Sequence, residues 1–418
     1  MIVRAREVVT MDGPPIDNGA VVVAGDRIAD VGRFSEIAKR HSGEETLELG
    51  EQALLPGLIN AHCHLDYTCL RGRIPRRKSF TDWIRAINDE KAKLSPDDYI
   101  ASIDEGFAEA KRFGTTTIAN LTGFPELVSQ LESPIRTWWF AELIDVRDPS
   151  RAGKLVDSAV ESLRSQQHWG LAPHTPFTAS PGLYRRCEEI ARTEDILLTT
   201  HLAESREEME MFRSANGSLY EFLRGIGREM NDCGRKTPVG EFVALLGRGG
   251  SPNRPQKPVR LGPIEVNRPY LAVHLNELAG TDFDSLAELP RKLSVVHCPR
   301  SHAYFGHSPF RFQSLRELGF NICLGTDSLA SNDDLSLFAE MREFRKEFPG
   351  IAPEEILEMV TVNPARALHQ ESELGKIRRD FVADLIAVPI GRSTSVFEQI
   401  VSFNDIVVWS MIAGRISA

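Results

Sequence analysis

His62-Cys63-His64 closes an apolar run, and side chains two apart on a strand point to the same face. Both imidazoles could therefore reach one ion, and imidazole suits Zn²⁺ or Fe²⁺ at bonds near ~2.1 Å. The pair alone is a weak signal; the preceding Leu54-Leu55-Pro56-Gly57-Leu58-Ile59-Asn60 sharpens it. In His201-Leu202-Ala203-Glu204 a carboxylate follows a strand-end histidine by three residues. That spacing lets Glu204 turn back toward a water that His201 helps to position. Leu324-Gly325-Thr326-Asp327-Ser328 is a strand ending in a carboxylate. Alone, such an aspartate caps a helix; beside these histidines it reads as a ligand. The chemistry these residues could share is hydrolysis by a metal-activated water with a general acid–base at hand.

The elements that must position these residues alternate. Short strand patterns lie at 54–64, 115–121, 135–143, 170–174, 196–201, 271–274, 293–297 and 321–327, with helical patterns between most of them. Ser95-Pro96-Asp97-Asp98 opens one such helix and Gly114 ends it. Alternation of this kind implies parallel strands joined by right-handed crossovers. Eight units predict an α/β fold, a (β/α)₈ TIM-type barrel; an open doubly wound sheet is the alternative. His62/His64, His174, His201, His274 and His297 end five of these strands and Asp327 ends a sixth. One strand-end histidine would be a structural hydrogen-bonder, but the same placement repeated around a ring is hard to explain by packing. Cys63 and Cys298 are out of phase with the histidines and read as packing residues. Trp83 and Arg71, just after the first strand, could cover a substrate, although Trp83 reads equally well as helix packing.

Both termini are β-rich, at 2–9, 20–24 and 27–32 and again at 383–388, 400–403 and 406–412. They predict a small β-sandwich domain assembled from residues 1–54 and 371–418 around a barrel of 55–370. About seventy residues separate His201 from His274, too many for one helix. The insertion at about 205–265 carries helical patterns at 205–213 and 219–230 and a Gly/Pro/Arg-rich stretch at 247–258. It reads as a lid or substrate-selecting wall, or else as a surface excursion.

The 418 residues, 42% hydrophobic and 26% charged, suit a soluble globular chain of that plan. A net charge of −10 and the absence of a long basic cluster argue against nucleic acid; Arg73, Arg76, Arg77 and Lys78 read as a solvated loop, with a grip on an anionic substrate as the alternative. Six cysteines without a C-x-x-C pair argue against a zinc knuckle or a disulfide framework. No apolar run is long enough for a membrane span and the N-terminus shows no leader pattern, so a cytoplasmic setting is expected. H-E-x-x-H, P-loop, G-x-S-x-G, strand-borne G-x-G-x-x-G and H-x-E…P-C-x-x-C signatures are all missing.

With "LLPGLINAHCHLD", "LAPHTPFTAS", "THLAES", "VVHCPRSH", "LGTDSLASN" and the tail "ELGKIRRDFVADLIAV" in order, nearly the whole chain resembles the amidohydrolase superfamily. The branch is the one that holds adenosine-type, S-adenosylhomocysteine, cytosine and guanine deaminases and triazine chlorohydrolases. The resemblance implies one divalent metal, Zn²⁺ or alternatively Fe²⁺, on His62, His64, His201 and Asp327. It implies Glu204 as proton shuttle, His274 polarising the water or leaving group, Asp327 taking a proton from the water, and His174 in contact with substrate. His174 stands where two-metal relatives carry a modified lysine, which implies a single metal. "HCPRSHAYFGHSPFRF" and "GTDSLASNDDLSLFAEMR" look most like aminofutalosine deaminases of menaquinone biosynthesis, although His302 stands where many relatives have Asn. The expectation is a hydrolytic deaminase of a small amino-heterocycle of purine-nucleoside type, with Glu204, His174, Trp83 and Arg71 about the substrate and a homodimer as its assembly. S-adenosylhomocysteine, methylthioadenosine, adenosine or guanine as substrate, triazine dechlorination, ring-amide hydrolysis and an inactive scaffold barrel are the alternatives.

Overall fold

The computed structural model describes residues 1–76, 78–246, 270–287, 289, 293–392 and 394–417. Arg77 and the 247–258 stretch singled out above lie outside these residues. The centre is a parallel sheet built from β1 (Leu58–His64), β2 (Thr115–Thr122), β3 (Arg136–Leu143), β4 (Trp169–Pro173), β5 (Leu197–Leu202), β6 (Tyr270–His274), β7 (Leu293–His297) and β8 (Asn321–Leu324), each bonded to its neighbour in chain order. A two-residue strand, Asp327–Ser328, continues β8 and pairs with β1, Asp327 opposite Cys63, so the sheet closes into a barrel. Gly325 permits the closure: a Cβ there would lie 2.7 Å from the His62 carbonyl oxygen. Asn60 Nδ2 donates to Thr326 Oγ1 at 2.8 Å and Thr326 N donates to His62 O at 3.0 Å across the same seam.

The sequence read 54–64 as one strand, and the chain divides it. Gln52–Pro56 pairs with Leu385–Pro389 in the terminal sheet, and β1 begins only at Leu58. Gly57 makes the step, because a Cβ there would strike the Thr116 side chain at 2.2 Å. The barrel interior is packed with Ile59, Ala61, Ala119, Leu121, Trp138, Phe140, Leu271, Val273 and Val296. A second apolar layer, with Phe107, Trp139, Tyr184, Phe242 and Phe344, joins the strands to the surrounding helices.

The terminal strands form one continuous eight-stranded sheet, in the order Arg415–Ser417, Trp409–Ile412, Leu385–Pro389, Gln52–Pro56, Ile2–Val8, Ile16–Ala24, Arg27–Arg33, with Thr46–Glu48 also on Ile2–Val8. Period-two alternation explains its two apolar faces. Val3, Ala5, Val21 and Val23 pack with Leu54, Leu385 and Met411, while Ile2, Ala20 and Val22 pack on Ile37 of the helix Phe34–Arg40. Of residues 400–403, read as a strand, 400–402 lie instead in the helix Val396–Ser402 and Phe403 caps its end. Val396 and Ile400 are spaced for one helical face and are buried, and that burial outweighs the strand preference of β-branched residues.

Helices Arg206–Ser214, Ser218–Gly225 and Pro238–Leu246 fill the described part of the insertion. The pattern at 219–230 ends early, at Gly225, and Gly227 then takes φ +92°, a conformation glycine adopts without strain. Ser218–Gly225 lies against the helix Phe80–Lys91 that follows β1, with Thr81 Oγ1 3.0 Å from Ser218 Oγ. No helix among the described residues is long and apolar enough to cross a membrane.

Candidate active site

The two histidines of β1 owe their direction to a bulge. Asn60 pairs with Ile118 and Cys63 with Asn120, so the stretch from 60 to 63 faces one residue fewer on β2. Ile59 and Ala61 fill the barrel below the bulge; above it, parity shifts and His62 and His64 turn to the mouth. Cys63 turns the other way, its Sγ 3.4 Å from Asn120 Oδ1.

At the mouth, ring nitrogens of His62, His64 and His201 lie within 4.8 Å of one another. His201 Nδ1 is 3.2 Å from the His174 carbonyl, which can only accept, so Nδ1 carries the hydrogen and Nε2 offers a lone pair. That lone pair faces His64 Nε2 at 3.3 Å. Both ring nitrogens of His62 are buried without any partner among the described residues, and the residue is 0% exposed. Left so, each would cost about 1–3 kcal/mol. Burial holds His201 well below the usual imidazole range and brings His64 down to about 4 against the opposing charge of Glu142, so both stay neutral bases. Three converging imidazoles and a carboxylate are a donor set that fits one divalent cation of the zinc type.

That carboxylate is Asp327, with Oδ1 3.8 Å from His62 Nε2. Burial would raise its pKa, but the neighbouring His62 ring and the charges of His274, His62 and His64 hold it far below the usual range. Ser301 Oγ donates to its Oδ2 at 2.7 Å and Ser328 N to its Oδ1 at 2.8 Å, which fixes its rotamer. Glu204, His274 and Asp327 form an adjoining cluster, with His274 Nε2 3.6 Å from Glu204 Oε1. Burial first, then the charges of Asp327 and Glu208, raise the Glu204 carboxyl well above its ordinary value, toward its protonated form. Burial lowers His274 to about 3. Ala203, His274, Leu275 and Asp327 all take positive φ, at 52, 80, 49 and 56°. Such left-handed turns in non-glycine residues are costly and collect at functional sites.

A cavity of about 360 Å³ opens above these groups. His64, His174, His201, Glu204, His274 and Asp327 form its floor, with Tyr67, Glu142 and Lys91 alongside. Phe80, Trp83, Ile84, Ile87, Leu219, Phe222, Leu223 and Ile226 make its apolar wall. Trp83 serves both readings made of it: its ring packs on Phe80 and Phe305, and it also lines the cavity. Arg71 is placed elsewhere. Its guanidinium pairs with the carboxylate of Glu109 and it does not line the cavity, because the turn after Leu70 directs it to the helix Pro96–Arg112. His297 ends β7 but sits behind the site, stacked on Phe310 at 3.9 Å.

Glu142 is the site residue that motif reading passes over. Its Oε1 lies 3.9 Å from His64 Nδ1 and 3.7 Å from His174 Nε2. Burial would raise it, but the charges of His174, His64 and Lys91 bring it below the ordinary carboxylate range. The signal that could have found it is parity: Trp138 and Phe140 face the barrel interior, and Glu142 is the next residue in phase.

The sequence pattern of the Amidohydrolase family matches residues 53–416, and that of the Imidazolonepropionase-like composite domain, bacteria, matches residues 19–41. A 5-methylthioadenosine/S-adenosylhomocysteine deaminase of Syntrophobacter fumaroxidans is 30% identical over 397 residues, 90% of this chain and 81% of the relative. A 5′-deoxyadenosine deaminase of Methanoregula boonei is 30% identical over 377 residues, 85% of this chain and 75% of the relative. Among solved structures, Helicobacter pylori aminofutalosine deaminase in complex with methylthio-coformycin matches over 100% of both chains, with a TM-score of 0.85 at 18% identity. That identity carries the fold only; the family comes from the sequence match, which begins in the last strand before the barrel and runs to the final strand of the terminal sheet. On that match the chain belongs to the amidohydrolase family and is a hydrolase acting on carbon–nitrogen bonds.

Proposed function

We propose that this chain is a metal-dependent hydrolytic deaminase of a 6-aminopurine nucleoside with an extended 5′ substituent, and that its substrate is 6-aminodeoxyfutalosine, in menaquinone biosynthesis. The observation that carries the reading is the buried Glu204 carboxyl beside His274 and Asp327 on the floor of a cavity that also has an apolar wall. His62, His64, His201 and Asp327 would hold one divalent ion, zinc by preference, with iron as the alternative. When bound, such an ion supplies hydroxide at neutral pH by lowering the pKa of water to about 7.

The chain's own residues would manage the protons. Glu204 donates to the ring nitrogen beside the amino-bearing carbon, which makes that carbon more electrophilic. The Asp327 carboxylate accepts a proton from the attacking water. The His274 imidazole, neutral because burial depresses it, donates a hydrogen bond to the oxygen as charge develops. As the carbonyl forms, Glu204 takes the second proton of the attacking oxygen and delivers it to the leaving amine, and the proton held by Asp327 then restores Glu204. One water and one amine thus become a ring carbonyl and ammonia. His174, held through Thr178 at 2.7 Å, would face the base, and Trp83, Phe222 and Ile226 would receive the 5′ substituent.

The relatives at 30% identity support a second reading, in which the substrate is 5-methylthioadenosine, S-adenosylhomocysteine or 5′-deoxyadenosine. Ammonia release by the zinc-loaded protein separates the readings. The panel is 6-aminodeoxyfutalosine, S-adenosylhomocysteine, 5-methylthioadenosine, 5′-deoxyadenosine, adenosine and guanine. Preference for the first supports the proposal, and preference for a later member replaces it with that member. Silence across the panel with zinc bound removes the deaminase reading and turns the search to chloride release from triazines.

A further inference from the structure

Glu204 reaches the cavity from a turn that the chain would not adopt unaided. Ala203 takes φ +52°, which is unfavourable for an L-residue with a Cβ. The carbonyl side of the turn is stitched to the loop that carries His274. Leu275 N donates to Leu202 O at 2.9 Å, Glu277 N to Ala203 O at 2.9 Å and Asn276 Nδ2 to Glu204 O at 3.2 Å. The amide side faces the opposite way, and among the described residues a single side chain holds it. Glu208 Oε2 accepts from Glu204 N at 2.7 Å and Oε1 from Ala203 N at 3.3 Å. Successive amides in such a turn form a concave anion site, and here the anion is supplied by the chain itself.

The placement of Glu208 is unusual for its position. Ser205 caps the helix Arg206–Ser214, its hydroxyl accepting from Glu208 N at 3.2 Å, so Glu208 sits in the first helical turn. A glutamate there commonly folds back to the backbone of the cap residue. Glu208 also reaches one and two residues further back, to the catalytic turn. It is 1% exposed, and no Lys, Arg or His pairs with it among the described residues. A buried carboxylate without a cation is costly, and burial lifts it to about 7 against the pull of these backbone amides.

We infer that Glu208 is a positioning residue, holding the Ala203–Glu204 turn so that the Glu204 carboxyl stays beside His274. The inference rests on Glu204 being the proton carrier. A displacement of about 1 Å at a catalytic group costs on the order of 10²-fold in rate. Gln at 208 keeps the size but has one acceptor oxygen for two amides, and its NH₂ opposes the other.

The test is steady-state kinetics of zinc-loaded Glu208→Gln, Glu204→Gln and the double variant on the substrate the panel selects, with zinc content measured in each. The expected result is a fall of about tenfold or more in kcat for Glu208→Gln, with KM within threefold and zinc unchanged. In the Glu204→Gln background the same change should cost less than twofold, since the group it positions is gone. Should Glu208→Gln not fold, Glu208→Asp keeps the charge but falls one methylene short, and the same two comparisons apply to it. Wild-type kcat in the 208 variant overturns the inference, and so does an equal loss in both backgrounds, which would mark a general structural defect. Full activity in Glu204→Gln overturns the proton-carrier reading instead, so the two failures are distinguishable.

Discussion

His64 and His201 face each other nitrogen to nitrogen at 3.3 Å, their rings stacked with centroids 5.3 Å apart. Because the His174 carbonyl takes the Nδ1 hydrogen of His201, the facing Nε2 is a base, and two such bases are held together by a proton or a cation between them. His62, without a hydrogen-bond partner among the described residues, completes the triangle. The expected consequence is that His201→Ala loses the ion. Elemental analysis of purified, zinc-equilibrated protein should fall from one zinc per chain in the wild type to well under a tenth of that. Full occupancy in the variant would remove His201 from the ligand set.

Glu204 differs from the ligands in what its removal should do. Its carboxyl lies with His274 and Asp327, outside the imidazole triangle. Glu204→Gln keeps the shape and loses the titrating proton, so zinc content should stay at the wild-type level while the rate falls at least ~10²-fold, the usual scale for a general acid–base. Near-normal turnover would take Glu204 out of the mechanism.

The sequence carried this site unevenly, and the reasons are local. His62-Cys63-His64 and His201-Leu202-Ala203-Glu204 are legible because short-range spacing alone sets their geometry. The bulge at 60–63 that aims the two β1 histidines leaves no mark in residue types, since it depends on β2. Glu142 lies inside an ordinary amphipathic strand, and only its phase with Phe140 reveals that it faces inward. Arg71 shows the converse: proximity in sequence to the first strand placed it near the substrate, while a buried-side carboxylate on another helix, Glu109, decides where it goes. The helix at 396–402 was misread because β-branched Ile400 and Val401 favour strands locally, whereas the core beneath them rewards a helical face.

Acid should weaken the metal-free protein through its histidines. Burial lowers His64 to about 4, against the charge of Glu142, and His274 and His307 to about 3, whereas the unfolded chain titrates them near its ordinary 6.5. Between these values the unfolded state binds more protons, so unfolding free energy rises with pH. The stabilisation is therefore complete above about 6.5 and is lost as pH falls through 4 and then 3. Each group contributes a slope of up to about 1.4 kcal/mol per pH unit. Thermal melts of the chelated protein from pH 8 to 4 should show Tm falling below pH 6.5. His307→Asn, which removes one such group outside the proposed ligand set, should flatten that fall whatever it does to the plateau. An unchanged slope in the variant, or a Tm that rises toward acid, would contradict the assignment.

The apolar wall gives the sharpest test of what the cavity selects. Phe222 comes from the insertion helix Ser218–Gly225, and Trp83, Ile84 and Ile87 come from the helix after β1, so a 5′ substituent would lie between two packed helices. Arg85 holds the Phe222 ring from outside, its guanidinium carbon 5.1 Å from the centroid, so the ring is fixed before substrate arrives. Apolar contacts of this size discriminate by about 1–3 kcal/mol, or roughly 10- to 200-fold. Phe222→Ala should therefore lower kcat/KM for the preferred substrate by at least tenfold, while adenosine, whose 5′ position carries only a hydroxyl, changes by less than threefold. Equal losses on both would mean that Phe222 acts through the fold of the insertion and that the wall does not read the 5′ substituent. A preserved kcat/KM on the preferred substrate would mean that the substituent leaves the cavity by another path, along Arg147 and Ile144, which also line it.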